Sequence, residues 1–435
     1  MRRLGFRLLA VAMTVALASA PDARAEKTAL PDSSITNAVT YEFSADHAVP
    51  APRIDVTTDD GIVSLTGTVD NLLAKERAVR LAETVRGVRS VVDRVTVKPP
   101  RPRADEAVRD DVVAALLMDP AADSYEIGVD VEDGHVTLTG TVQSWKEREL
   151  SETVARSVRG VTGVTDEIRV DYGADRPDLE IQTDIAEALR WNSLVDHELI
   201  QVSVEDGAVR LTGLAGTAAE KRRARLEAWT QGVKSVDDSN LRVARWSRDE
   251  NLREPDKLAL TAGEIREAVE DALARDPRVY SFNVTPAVAT GTVTLRGTVD
   301  NLEAKRAAES TARNTVGVLA VDNLLRVEPE HVATDTAIEA QIRASFERDP
   351  LVWALNVGIR VEDGTVHLTG TVDTQYESAR ADAIAGRVPG VTEVVNRIKV
   401  RNYAKTFNPH VDSWWYDSMA GRPLLENLTD GTALN

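Results

Sequence analysis

Apolar and polar residues alternate with period two in short runs that come in pairs. Ile127, Val129 and Val131 make one run, Val136 and Leu138 the next, and Glu132-Asp133-Gly134 lies between them. Such alternation marks a strand with one buried face, and a turn glycine supplies the positive φ that a tight hairpin needs. The same hairpin recurs at Ile200, Val202 and Val204 with Val209 and Leu211, and at Val357, Ile359 and Val361 with Val366 and Leu368. After each hairpin the period changes. Ala74, Ala78, Leu81, Ala82 and Val85 fall at i, i+4, i+7, i+8 and i+11, the stripe of an amphipathic helix. Another helix precedes the hairpin (Ile265, Val269, Leu273; Ile338, Ile342, Phe346), and a short strand follows the second helix (Val164, Ile168, Val170; Val394, Ile398, Val400). The predicted class is α+β, built from α-β-β-α-β units, each a small mixed three-stranded sheet covered by two helices.

Three sets of glycines keep the units in register. The turn glycine recurs as Gly61, Gly134, Gly207, Gly291 and Gly364, in steps of 73, 73, 84 and 73 residues. Six residues on come Gly67, Gly140, Gly213, Gly297 and Gly370, suited to a close approach or a bend where the chain leaves the sheet. Gly87, Gly160, Gly232, Gly317 and Gly390 each precede a valine, where a left-handed cap would end the second helix. A self-similar period of this length means a tandem array. Its five units span 34–98, 104–171, 178–244, 261–328 and 334–401. The long step is an insertion of 11 residues held in a charged linker, 245–260, long enough to separate a three-unit block from a two-unit block. Joints elsewhere are short, which implies that neighbours pack, because a unit of about 65 residues buries too little to be stable alone. The copies are not identical. The first reads as poorly periodic in its first helix around Thr40–Ala48, the fourth carries Pro286 in a hairpin strand, and the third is one residue shorter between Gly213 and Gly232.

Outside the units, Arg2, Arg3 and Arg7 precede an apolar run, Leu8–Leu17, and an A-x-A pattern ending at Ala25. This is the form of a cleavable signal peptide, residues 1–25, and it predicts a periplasmic protein. No later stretch approaches the ~20 apolar residues of a membrane span. The C-terminal tail, 402–435, gathers Trp414, Trp415 and Tyr416, and reads as a docking or partner-contact segment.

The repeated pattern resembles the BON family (bacterial OsmY and nodulation domain). The residues that carry the resemblance are Gly134-x-Val-x-Leu-x-Gly140-x-Val142 and Gly61-x-Val-x-Leu-x-Gly67-x-Val69. They run into Val-Asp-Asn-Leu-x-Ala-Lys at Val69–Lys75 and Val299–Lys305, and into Gly-Val-x-x-Val at Gly160–Val164 and Gly390–Val394. The resemblance implies lipid or envelope binding, stress response and envelope quality control rather than one chemistry.

Composition narrows the chemistry. There is no cysteine, which excludes disulfides, thiolate metal sites and thiol nucleophiles. The net charge is −18, and residues 1–25 carry four arginines and one aspartate, so their removal shifts it to −21. That disfavours nucleic acid, which needs a basic face, and disfavours an anionic lipid surface. No phosphate loop, zinc-helix or nucleophile-elbow motif occurs. His135 and His367 fall on the outward face of their strands, and the Asp130–Gly134 segment is a hairpin rather than a calcium loop. The sequence therefore points to no catalytic residue, no cofactor and no metal.

Two groups stand above this background. Lys221, Arg222, Arg223 and Arg225 open the second helix of the third unit and form the densest basic cluster, a candidate anion- or lipid-headgroup site or else a solvated face. Tyr280 and Trp353 occupy matched positions entering the first strand of units four and five, as core or as partner contacts. The reading that follows is a non-enzymatic, exported binding or chaperone-like array, with envelope proteins or unfolded clients as partners. A phospholipid-binding protein and a structural spacer or adhesion-like scaffold are the alternatives.

Overall fold

The computed structural model describes residues 30–401 apart from 47, 120–126, 174, 245–259, 277, 280–282, 330–332 and 354. Five α-β-β-α-β units follow one another. The first comprises α1 (Asp32–Ala45), β1 (Ile54–Asp59), β2 (Ile62–Val69), α2 (Leu72–Thr84) and β3 (Ser90–Val97). The second comprises α3 (Asp105–Met118), β4 (Ile127–Glu132), β5 (His135–Val142), α4 (Trp145–Arg156) and β6 (Gly163–Val170). In the third are α5 (Asp178–Trp191), β7 (Ile200–Glu205), β8 (Ala208–Ala215), α6 (Ala218–Glu227) and β9 (Ser235–Val243). The fourth has α7 (Ala262–Ala274), β10 (Val284–Ala289), β11 (Thr292–Val299) and α8 (Leu302–Arg313), with its last strand in two pieces, β12 (Ala320–Asn323) and β13 (Arg326–Val327). The fifth has α9 (Asp335–Arg348), β14 (Val357–Glu362), β15 (Thr365–Val372), α10 (Gln375–Arg387) and β16 (Glu393–Val400). In every sheet the second strand is central, antiparallel to the first and parallel to the third.

The core of each unit is written at fixed spacings. Three side chains at i, i+4 and i+8 of the first helix are buried, as in Val108, Val112 and Leu116, or Ile181, Ile185 and Leu189. In the first unit they are Ile35, Val39 and Phe43, so α1 is regular and begins earlier than the stretch that looked irregular in the sequence. The second helix buries small residues. Ala78, Ser151, Ala224, Ala308 and Ala381 form one column and Ala82, Ala155, Ala228, Ala312 and Ala385 the next, all with no accessible surface. Lacking side-chain bulk there, the helix lies close on its sheet, and its long residues are left to face outward. A side chain caps each second helix, with Asn71, Ser144, Thr217, Asn301 and Thr374 each accepting from the backbone N–H three residues on.

The hairpin turn is clasped from a distance. In four units the first helix opens with aspartate: Asp32, Asp105, Asp178 and Asp335. The carboxylate of Asp335 accepts from the backbone N–H of Asp363 at 2.9 Å and of Gly364 at 3.0 Å, and the other three repeat the arrangement. Both turn residues have positive φ, 49° and 74° in this unit, so the clasp holds a backbone that non-glycine residues resist. The fourth unit has Ala262 and Thr290 at these places, and so lacks the carboxylate. The mid-strand glycine explains itself by contact. A Cβ on Gly370 (φ 137°) would stand 2.5 Å from the carbonyl oxygen of Asn356. The strand does not end there, as the bend reading supposed, but continues to Val372 beside β16. Pro286 lies on β10, which pairs only with β11, so its missing N–H faces no ladder. In the third unit the β8–β9 register shifts between Arg210 and Thr212.

The linker does not divide the array into separate blocks. Units three and four meet where the Val316 N–H donates to the Trp191 carbonyl at 2.9 Å and the Ser193 N–H to Asn314 at 2.9 Å. Unit five returns to unit two, where the Arg159 N–H donates to the Arg348 carbonyl at 2.6 Å. Arg77 of unit one lies 4.7 Å over the Tyr376 ring of unit five. The cores of units one and two are continuous.

Replacing Asp335 by Ala should destabilise unit five by about 1–3 kcal/mol, because two turn N–H groups lose a charged acceptor. Ala262→Asp should stabilise unit four. Native-state hydrogen exchange of the Asp363, Gly364, Thr290 and Gly291 amides reads both, and unchanged exchange in either variant would remove the clasp from the account.

Candidate functional site: a groove shared by three units

The basic cluster does not form one open patch. Successive residues of a helix point about 100° apart, so four cations in five positions spread around it. Arg222 reaches Glu83 of unit one, with Nε 2.6 Å from Oε2. Arg223 pairs with Glu227 on its own helix at 2.9 Å, Lys221 is half-buried, and Arg225 is exposed. Burial pushes the Glu83 carboxyl up, and the Arg222 charge offsets this only in part. Trp353 sits at a seam, with the Arg159 guanidinium 4.5 Å and the Arg101 guanidinium 5.5 Å from its ring centre, both from unit two or its leading joint. Tyr280, Trp414, Trp415 and Tyr416 lie outside the described residues.

A concavity of about 660 Å³ lies between units two, three and four. Its walls come from the start of α4, the end of α5, the end of α6, the end of α7 and the end of α8, and carry Trp145, Tyr172, Trp191 and Trp229. Trp145 and Trp229 stack across the boundary of units two and three, ring centres 4.6 Å apart and planes within 5°. The Tyr172 hydroxyl donates to the Val233 carbonyl at 3.0 Å, and burial pushes its pKa up to about 12. Trp191 donates its indole N–H to Glu187 at 3.1 Å.

Charges in the groove are matched internally. Arg176 meets Asp184 at 2.8 Å, Arg223 meets Glu227 at 2.9 Å, and Arg278 meets Asp276 at 2.8 Å. Burial works most strongly against ionisation of Asp276, but the hydrogen bonds and charge of Arg278, with help from Lys146 and Thr311, together outweigh it and hold that carboxyl below the usual range. Glu149 has the opposite balance, because burial raises it more than the nearby Lys146 charge lowers it. Two buried polar atoms on the wall, Arg223 Nε and Thr230 Oγ1, have no hydrogen-bond partner. Among the described residues no cluster of three His, Asp or Glu side chains is placed to hold a metal. What the arrangement offers is recognition, with aromatic rings beside polar side chains on one wall.

None of the groove aromatics was singled out from the sequence, yet each of two breaks the repeat. Trp145 stands where other units have Leu72, Ala218, Leu302 and Gln375, and Trp191 where they have Ala45, Met118, Arg275 and Arg348. A departure from the repeat, rather than agreement with it, is the signal that finds them.

The raised Glu149 carboxyl has a definite sign. Its folded-state pKa lies above the unfolded value, so the ionised form is a penalty at neutral pH that is relieved as pH falls towards about 4.5. Glu149→Gln should therefore raise the melting temperature at pH 7.5, and the advantage should vanish by pH ~4.5. A gain that persists unchanged at pH 4.5 would mean that the charge of Glu149 is not its cause.

The BON domain family matches this chain five times, at residues 31–99, 104–172, 177–245, 261–329 and 334–402. The osmotically-inducible protein Y of Escherichia coli is 32% identical over 144 residues, 32% of this chain and 72% of that protein. The outer membrane lipoprotein DolP of Haemophilus influenzae is 32% identical over 136 residues, 30% of this chain and 70% of its own length. A solved structure of CdsD, a structural protein of the type III secretion system of Chlamydia trachomatis, aligns at 19% identity over 51% of this chain and 99% of its own, with a TM-score of 0.14 that carries no weight here. No helix among the described residues is long and apolar enough to cross a membrane. With the family matched in five consecutive copies, and each copy folded as the same α-β-β-α-β unit, the chain belongs to the BON family.

Proposed function

We propose that this chain is a non-enzymatic binding protein of the cell envelope, exported by residues 1–25 with cleavage after Ala25, that holds client proteins through many weak contacts on a rigid five-unit body. The observation that carries this reading is that every unit presents a large apolar side chain to solvent. Tyr41, Leu117, Leu179, Leu319 and Val400 come from units one to five in turn, with Leu179 74% and Leu319 84% exposed. Each contact is worth little alone, but a body that carries them all at fixed separations binds an unfolded chain by avidity. The names of two relatives, one osmotically inducible and one an outer membrane lipoprotein, support an envelope setting under stress. The phospholipid reading draws less support, because Arg222 and Arg223 are engaged by Glu83 and Glu227. The spacer reading suffers from the return of unit five to units one and two.

A fusion of residues 1–30 to a reporter should be processed after Ala25 and delivered outside the cytoplasm. The protein should suppress light scattering by a heat-denatured model client at near-equimolar ratio. A variant with Leu117, Leu179, Leu194, Leu319 and Leu324 changed to Gln should lose most of that suppression. Equal suppression by both proteins, or none by either, would overturn client holding.

A further inference from the structure

We propose that the groove between units two, three and four is a saccharide-binding site, separate from the exposed leucines that hold clients. A sugar ring has two kinds of surface: an apolar face of C–H groups, and a rim of hydroxyls that both donate and accept. The groove has a counterpart for each. The negatively charged faces of indole rings attract polarised C–H groups, and three tryptophans from units two and three line one cavity. Beside them the same wall carries polar side chains from all three units, Glu149, Gln231 and Asn314 among them. The volume of about 660 Å³ falls within the ~300–1,000 Å³ of small-molecule sites and suits a short oligosaccharide.

Other ligand chemistries fit less well. An acyl chain would bury Lys146, Glu149 and Arg223 against hydrocarbon, which strands their charges. A polyphosphate needs surplus cations, whereas Arg176, Arg223 and Arg278 are already matched by carboxylates inside the groove. An extended peptide is best held by an open strand edge or by alternating apolar pockets, and this groove is walled mainly by helix ends. A neutral polyhydroxyl ligand meets the balanced charge, the aromatic rings and the polar side chains of the wall together. The site is also composite. Trp145 comes from unit two, Trp191, Trp229 and Thr230 from unit three, and Thr311 and Asn314 from unit four, so no single unit builds it.

The test is calorimetric titration and saturation-transfer NMR of the protein with chitotetraose, cellotetraose and maltotetraose. A tetra-alanine peptide and vesicles of phosphatidylethanolamine with phosphatidylglycerol serve as the non-sugar arms. At least one oligosaccharide should bind saturably and shift the tryptophan emission. Glu149→Ala and Asn314→Ala should each weaken that binding at least fivefold, with far-ultraviolet circular dichroism unchanged. Trp191→Phe, a mild change that keeps a ring in place, should weaken it less than either. Failure of all three sugars to bind at millimolar concentration overturns the proposal. So does sugar binding that none of the variants weakens, or saturable binding of the peptide or vesicles alone. A loss of client holding with sugar binding intact would strike the proposed function and leave this site standing.

Discussion

The whole assembly depends on a shortage of apolar surface. A unit of about 65 residues cannot bury enough to stand alone, and here its second helix spends one face on alanine and serine columns pressed to the sheet. The opposite face carries long charged residues, and these find each other across units. Arg156 reaches Glu76, Arg222 reaches Glu83, and Arg306 reaches Asp382 at 2.7 Å. Such pairs contribute modestly one at a time, but they fix which unit meets which, while the shared core of units one and two supplies the apolar burial.

The groove follows from this arrangement rather than from any unit by itself. A matched residue after the first helix is Asp46, Asp119, Asp276 or Asp349 in four units and Asn192 in the third. In units one and five that aspartate is held by an arginine of its own second helix, Arg77 and Arg380. In unit three Asn192 instead donates to Glu227, the carboxylate that also engages Arg223. The substitution joins the α5 end to the α6 end and places Trp191 at the same wall as Trp229. Divergence among copies, superimposed on a constant scaffold, is what turns identical folds into one asymmetric site.

The units were legible in the sequence because their determinants are local. Period-two alternation, the i, i+4, i+8 stripe and a glycine at positive φ each depend on a few neighbouring residues, and all reappear in the structure. The aspartate clasp went unread because Asp335 and Gly364 are far apart in sequence and an aspartate near a helix start has an ordinary local explanation. The groove and the seams were hidden for a related reason. Arg222 and Glu83 look like solvated surface until units one and three are brought together, and Trp145 and Trp229 look like isolated aromatics. The linker was read as a divider because its length and charge permit separation. What overrules it is the backbone pairing of Trp191 and Ser193 with Val316 and Asn314, made by residues far from the linker on both sides.

The return of the fifth unit to the second carries a consequence for biosynthesis. A chain made from its N-terminus completes units one and two long before residue 348 exists, so the Arg159 N–H and the Arg77 guanidinium lack their final partners during most of translation. Water serves the N–H in the meantime, and the second-helix faces that α10 and its unit will cover stay open. The finished array is therefore sealed by its last repeat, and a ribosome that stops short of it releases a product with folded modules but an unfinished interior.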